Sequence, residues 1–99
     1  MYLVRRENWR HHIRRYAVAR KALNVWAATV EGSNWASPQE LKDTLRNASI
    51  VGRGTDRVVF NIKGNEYRLV VRVDYDRQIV DVRWFGTHAE YDRIDVLTV

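Results

Sequence analysis

A change of apolar period near residue 50 constrains this chain more than any other feature. Upstream, Trp9, Ile13, Tyr16, Leu23, Trp26 and Val30 recur at steps of three, four or seven, the spacing of one helical face. Downstream the period falls to two: Val58, Phe60 and Ile62, then Tyr67, Leu69, Val71, Val73 and Tyr75, then Val80, Val82 and Trp84. Such alternation makes half-buried strands, because successive strand side chains point to opposite faces. Helices first and a meander afterwards give an α+β fold, with amino-terminal helices packed on a small antiparallel sheet.

Boundary signals refine the plan. Residues 2 to 5 can form a short strand, and residues 7 to 31 are mostly helical, stopping at Gly32. The periodicity does not distinguish one helix there from two broken near residues 16 to 18. Ser37, Pro38 and Glu40 stand as N-cap, first helical position and third position of a helix reaching about Arg46. Lys63-Gly64-Asn65-Glu66 and Tyr75-Asp76-Arg77-Gln78 read as tight turns joining three strands, the first holding a Gly that tolerates positive φ. Thr87 and Glu90 form a capping box that opens a short helix through Tyr91 to about Ile94. With 99 residues, no internal repeat and one Pro, the chain is expected to be one domain over residues 1–99.

Two-residue loops would fix the register, with partners summing to about 129 in the first hairpin and about 153 in the second. Phe60 then faces Leu69, Val58 faces Val71, Leu69 faces Trp84 and Val71 faces Val82, so one side of the sheet is core. A slip of one residue would bury Asp81 and expose Trp84. Trp9, Trp26 and Trp84 are expected inside; Trp35, between helices, is the aromatic expected at a partner surface. The opposite side collects Arg57, Asn61 and Lys63, then Glu66, Arg68 and Arg72, then Asp81 and Arg83. Asn61 lies across from Arg68, with Phe85 flanking Arg68 on its other side. Arg57 opposite Arg72 is a like-charge pair that needs Asp81 or a phosphate to relieve it.

The formal charge is +5, from 17 Lys and Arg against 12 Asp and Glu, which favours polyanionic or acidic partners. Arg5, Arg6, Arg10, Arg14, Arg15, Arg20 and Lys21 make the amino-terminal third cationic, either as a solvated face or as a contact for RNA or an acidic segment of a protein partner. The absence of Cys excludes thiolate chemistry and Cys-based zinc sites and permits a reducing cytoplasm. No stretch has the length of a signal peptide or a membrane span, so a cytoplasmic protein is expected. His11 and His12 diverge by about 100° on a helix and have only Glu7 as a carboxylate within a turn, so no metal site is expected.

At one end of the cationic face the register gathers a guanidinium (Arg68), an amide (Asn61), an imidazole (His88) and a phenol (Tyr91). RNA cleavage without a metal asks for such groups. The 2′-hydroxyl must lose a proton, the phosphorane needs positive charge, and the 5′-oxygen must gain a proton. Imidazole suits the proton steps and Arg suits bidentate phosphate contact. A Tyr can stack on a base or move a proton, and the residues leave both open. The plain structural alternatives are a helix-cap neighbour for His88, packing for Tyr91 and turn formation for Asn65.

The segments from Val59 to Leu69 and from Gly86 to Asp92 resemble the two signature stretches of HigB-type toxins, and Pro38, Leu41 and Lys42 of the middle helix extend the likeness. The resemblance implies a RelE/ParE-like fold and an mRNA interferase acting on ribosome-bound message. It also implies inhibition by a HigA-type antitoxin with a helix-turn-helix, and no cofactor. By motif position Asn61, Asn65, Arg68, His88, Tyr91 and Asp92 carry over. Lys63 stands where Gly is frequent in the family. Arg68, His88 and Tyr91 are thus the candidate catalytic residues, and Arg57, Asn61, Lys63, Asn65, Arg72 and Arg83 the candidate RNA contacts. Two other classes compete: a ParE-like poison that binds a topoisomerase, and a non-catalytic RNA-binding module.

Overall fold

The computed structural model describes residues 1–9, 17–52 and 56–99. In chain order these form β1 (Tyr2–Val4), a helical turn at residues 7–9, a 3-10 turn (Ala17–Ala19) leading into α1 (Arg20–Glu31), and α2 (Pro38–Thr44). Then come β2 (Ser49–Ile50), β3 (Arg57–Ile62), β4 (Tyr67–Asp74), β5 (Ile79–Thr87) and α3 (His88–Tyr91). The choice between one and two amino-terminal helices lies outside the described residues, as do Arg10, His11, His12, Ile13, Arg14, Arg15 and Tyr16.

The fold is α+β, helices packed on one sheet with the strand order β1-β5-β4-β3-β2. Its centre is the antiparallel meander that the alternation predicts. The sheet as a whole is mixed, not purely antiparallel, because β1 adds parallel to β5, with Leu3 beside Val80. A second hairpin leaves the outer edge of β5 without partners, and Tyr2–Val4 supply them. Where β1 ends, the Asn8 side-chain amide donates to the Val82 carbonyl and continues the cover.

Leu23, Trp26, Ala27 and Val30 of α1 are buried at steps of three, one and three, one helical stripe turned to the sheet. The Trp26 ring stands edge-on to Trp9 at 5.8 Å and to Phe60 at 5.3 Å, tying helix to sheet. Ser37 caps α2 as expected, its Oγ accepting from the Glu40 amide at 3.3 Å. Trp35 corrects the expectation of an exposed aromatic, since it is 3% exposed. Its Nε1 donates to Thr44 Oγ1 at 3.0 Å, so α2 supplies the polar partner that lets the indole sink into the core. Helix α3 is shorter than expected, ending at Tyr91. Among the described residues no helix is long and apolar enough to cross a membrane.

The first hairpin keeps the expected register throughout, Arg57 with Arg72 through Asn61 with Arg68. The second keeps it only from Asp74 and Ile79 to Val71 and Val82. There a β-bulge intervenes, and the pairs become Val70 with Trp84, Leu69 with Phe85, Arg68 with Gly86 and Tyr67 with Thr87. Arg83 is the extra residue, and every side chain beyond it changes face. Two expectations are corrected together. Trp84 does not face Leu69 in the core, and Phe85 does not flank Arg68. Phe85 is fully buried instead, stacked on Tyr67 at 5.5 Å, while Trp84 is half-buried on the opposite face. Adjacent aromatics cannot both point inward from a regular strand, and the bulge decides which one does.

Candidate functional site

The sheet face away from α1 is less uniformly polar than its charges suggest. Val59 and Val70 pair with each other there, are 4% and 0% exposed, and belong outside the main core cluster. They divide the face into two ends. Arg68 and Arg72 on β4 mark the ends, four residues or about 13 Å apart.

At the Arg72 end, Arg57, Arg72 and Asp81 form a row across three strands. The like-charge pair is relieved within the protein. Arg72 Nη2 lies 3.8 Å from Asp56, and Asp81 takes Arg83 Nη1 and Arg5 Nε, each at 3.3 Å. The guanidinium of Arg57 donates to the Val99 carbonyl, which also accepts from Arg83 Nε at 3.3 Å. The carboxy-terminal segment therefore crosses this end of the face. Burial, and then the nearby charges of Arg83 and Arg72, hold the Arg57 pKa below its usual value. Arg57, Arg72 and Arg83 thus stand apart from the other candidates, and two of them are engaged by main chain.

The Arg68 end is built by a turn and a cap. In the turn, Lys63 and Gly64 both take left-handed φ, 54° and 64°, and Lys63 Nζ reaches Glu66 at 3.5 Å. The turn delivers Asn65 to Arg68: Arg68 Nη2 donates to Asn65 Oδ1 at 2.8 Å, and Nη1 to the Asn65 and Tyr67 carbonyls at 3.1 and 3.2 Å. Asn65 thus orients the guanidinium. Asn61 pairs with Arg68, and its main-chain carbonyl accepts from Asn47 Nδ2 at 3.1 Å.

The capping box forms as expected at the start of α3. Thr87 Oγ1 accepts from the Glu90 amide at 3.1 Å while Glu90 Oε1 accepts from the Thr87 amide at 2.9 Å. The His88 amide donates to the Glu66 carbonyl at 3.0 Å, pinning α3 to the head of β4. One turn on, Asp92 lies 3.3 Å from His88 Nδ1 and steadies the ring. The polar contacts of Arg68 and His88 run to these neighbours and not to each other. Both occupy the same end of the sheet, Arg68 half-buried and the His88 side chain 47% exposed.

Sequence reasoning missed Trp84 as a member of this end. A Cβ added to Gly86 would lie 2.7 Å from Trp84 Cη2 and 2.8 Å from Cζ2, so the indole rests on the glycine backbone. Gly86 pairs with Arg68, which places the ring over the strand position beside Arg68 on the same face. The same ring meets Tyr91 at 6.2 Å. The available signal was the run Trp84-Phe85-Gly86, where two aromatics break the alternation and a glycine follows.

A family model described as the RelE-like toxic component of a toxin-antitoxin system, HigB_toxin, matches residues 19–94. The chain belongs to the HigB toxin family. The match spans every element from α1 to α3, and with it Asn61, Arg68, His88 and Tyr91, while Arg5 and Val99 of the other end lie outside it. As the toxic member of such a pair, this HigB toxin has an antitoxin as its partner. No curated protein matches the chain closely.

Proposed function

We propose that this HigB toxin is a metal-independent endoribonuclease that cleaves mRNA, acting in the cytoplasm on the translating ribosome and so blocking translation. The observation that carries the reading is the meeting of Asn61 and Arg68 with α3, bearing His88 and Tyr91, at one end of the sheet. Arg68 offers a fork of N–H donors for the scissile phosphate and for the charge that grows on the phosphorane. The contact of His88 Nδ1 with Asp92 leaves Nε2 to move a proton to or from the reacting oxygens. Tyr91 supplies a phenol as the second proton-moving group or a surface for a base. Asn61 and Lys63 add contacts around the same phosphates, while Arg57, Arg72 and Arg83 reach RNA only further along the strand.

The open placement of these groups suits a substrate presented by a larger particle, where the ribosome completes the walls of the site. The antitoxin that silences it is a HigA-type protein with a helix-turn-helix, and residues 1–99 act as one toxin domain. The test is tightly controlled expression followed by mapping of message ends. Cuts within translated messages are expected, and they disappear in Arg68→Ala and His88→Ala. Growth arrest with intact message contradicts the reading; if arrest also survives the double substitution of His88 and Tyr91, a topoisomerase-binding mode is favoured.

A further inference from the structure

We infer that Trp84 is a base-stacking platform, seating a nucleobase of single-stranded RNA on its indole beside the phosphate held by Arg68. The inference rests on the endoribonuclease reading and adds a residue that the family motifs do not contribute. It starts from placement. The bulge at Arg83 turns Trp84 out of the core onto the face that carries Arg68, and the missing side chain of Gly86 lets the edge of the indole close onto the strand. Tyr91 stands against the ring at 6.2 Å with its plane tilted by 51°. Arg68, Trp84 and Tyr91 are therefore gathered at one end of the sheet.

Burial sets this tryptophan apart. The chain has four Trp, and Trp9, Trp26 and Trp35 are 4%, 5% and 3% exposed, whereas Trp84 is only half-buried. An aromatic held next to a cation on a basic surface is the combination that binds single-stranded nucleic acid. Each base has a π-face for the ring, and its phosphate has the cation. A ring there for packing alone would need only apolar bulk over Val70 and Gly86, which Leu also supplies.

All four indoles emit, but Trp9, Trp26 and Trp35 are buried and shielded from contact quenching, so the part of the emission that a stacked base removes belongs to Trp84. Titration of the purified toxin with a short single-stranded oligoribonucleotide should quench emission in the wild type. Trp84→Leu should remove the quench and weaken binding, followed by salt-dependent fluorescence anisotropy of labelled RNA, about tenfold or more. Trp84→Phe, which keeps a π-face, should recover most of the affinity. Trp84→Leu binding and cleaving as well as wild type overturns the stacking role and leaves the nuclease reading intact. A wild-type toxin that neither binds the oligoribonucleotide nor cuts ribosome-bound message overturns both.

Discussion

Alanine at the two adjacent aromatics of β5 tests the bulge by its energetic consequences. Phe85 is 0% exposed, paired with Leu69 and stacked on Tyr67 at 5.5 Å, so Phe85→Ala leaves a cavity in the core against β4. Truncations of that kind cost about 3–5 kcal/mol, a large part of the roughly 5–15 kcal/mol that holds a domain folded. At about 4–8 °C per kcal/mol for a chain this size, the melting temperature should fall by at least about 12 °C. Trp84 is half-buried and its ring partner is Tyr91 alone among the described aromatics. Losing that contact and part of its apolar cover should cost about 1–2 kcal/mol. A strand without the bulge exchanges the two values, so the sign of the difference decides. Urea unfolding followed by far-ultraviolet circular dichroism measures both, each curve normalised to its own folded and unfolded baselines. Trp84→Ala costing as much as Phe85→Ala would refute the observed register.

Three further outcomes follow from the same geometry. Arg68→Ala and His88→Ala should stay folded within about 1 kcal/mol of wild type, since both side chains lie outside the core, and should lose toxicity; an unfolded spectrum for either removes the support for a site there. Lys63→Gly should raise stability by about 1 kcal/mol, because Lys63 occupies φ 54° and glycine adopts that conformation without a Cβ penalty; a lower urea midpoint would count against the turn geometry. Burial, and then the charge of Asp56, raise the Tyr75 phenol above its usual 10.0, so its folded pKa exceeds its unfolded one. The stability it contributes is whole below the unfolded value and is lost as pH climbs through the folded value, so unfolding curves should show a shallower alkaline loss in Tyr75→Phe; identical losses in the two proteins would refute the assignment.

Local rules made much of this molecule readable from its residues. The caps at Ser37 and Thr87 form because hydroxyl, spacing and carboxylate suffice for them, and the first hairpin pairs Phe60 with Leu69 because alternation and turn chemistry agree. The misreadings arose where a choice depended on tertiary packing. Alternation cannot say which of Trp84 and Phe85 enters the core, nor that Arg83 is the residue to be skipped. Trp35 looked exposed because its polar partner, Thr44, is supplied by packing against α2. Val59 and Val70 are apolar on the face assigned to charges, and the carboxy-terminal segment returns over that face to reach Arg57 and Arg83. The Arg68 end was legible because its residues are close in sequence to a turn and to a cap. The Arg57 end was not, because its partners lie far along the chain.

Chemistry at the cut ends tests the central claim most directly. Purified toxin is added to ribosomes programmed with an end-labelled message, in buffer containing a chelator at a level the ribosomes tolerate, and the fragments are characterised. Attack by the 2′-hydroxyl under Arg68, His88 and Tyr91 predicts a 2′,3′-cyclic phosphate on one side of the cut and a 5′-hydroxyl on the other, both missing with Arg68→Ala. Uncut message, or fragments bearing a 5′-phosphate, would contradict it.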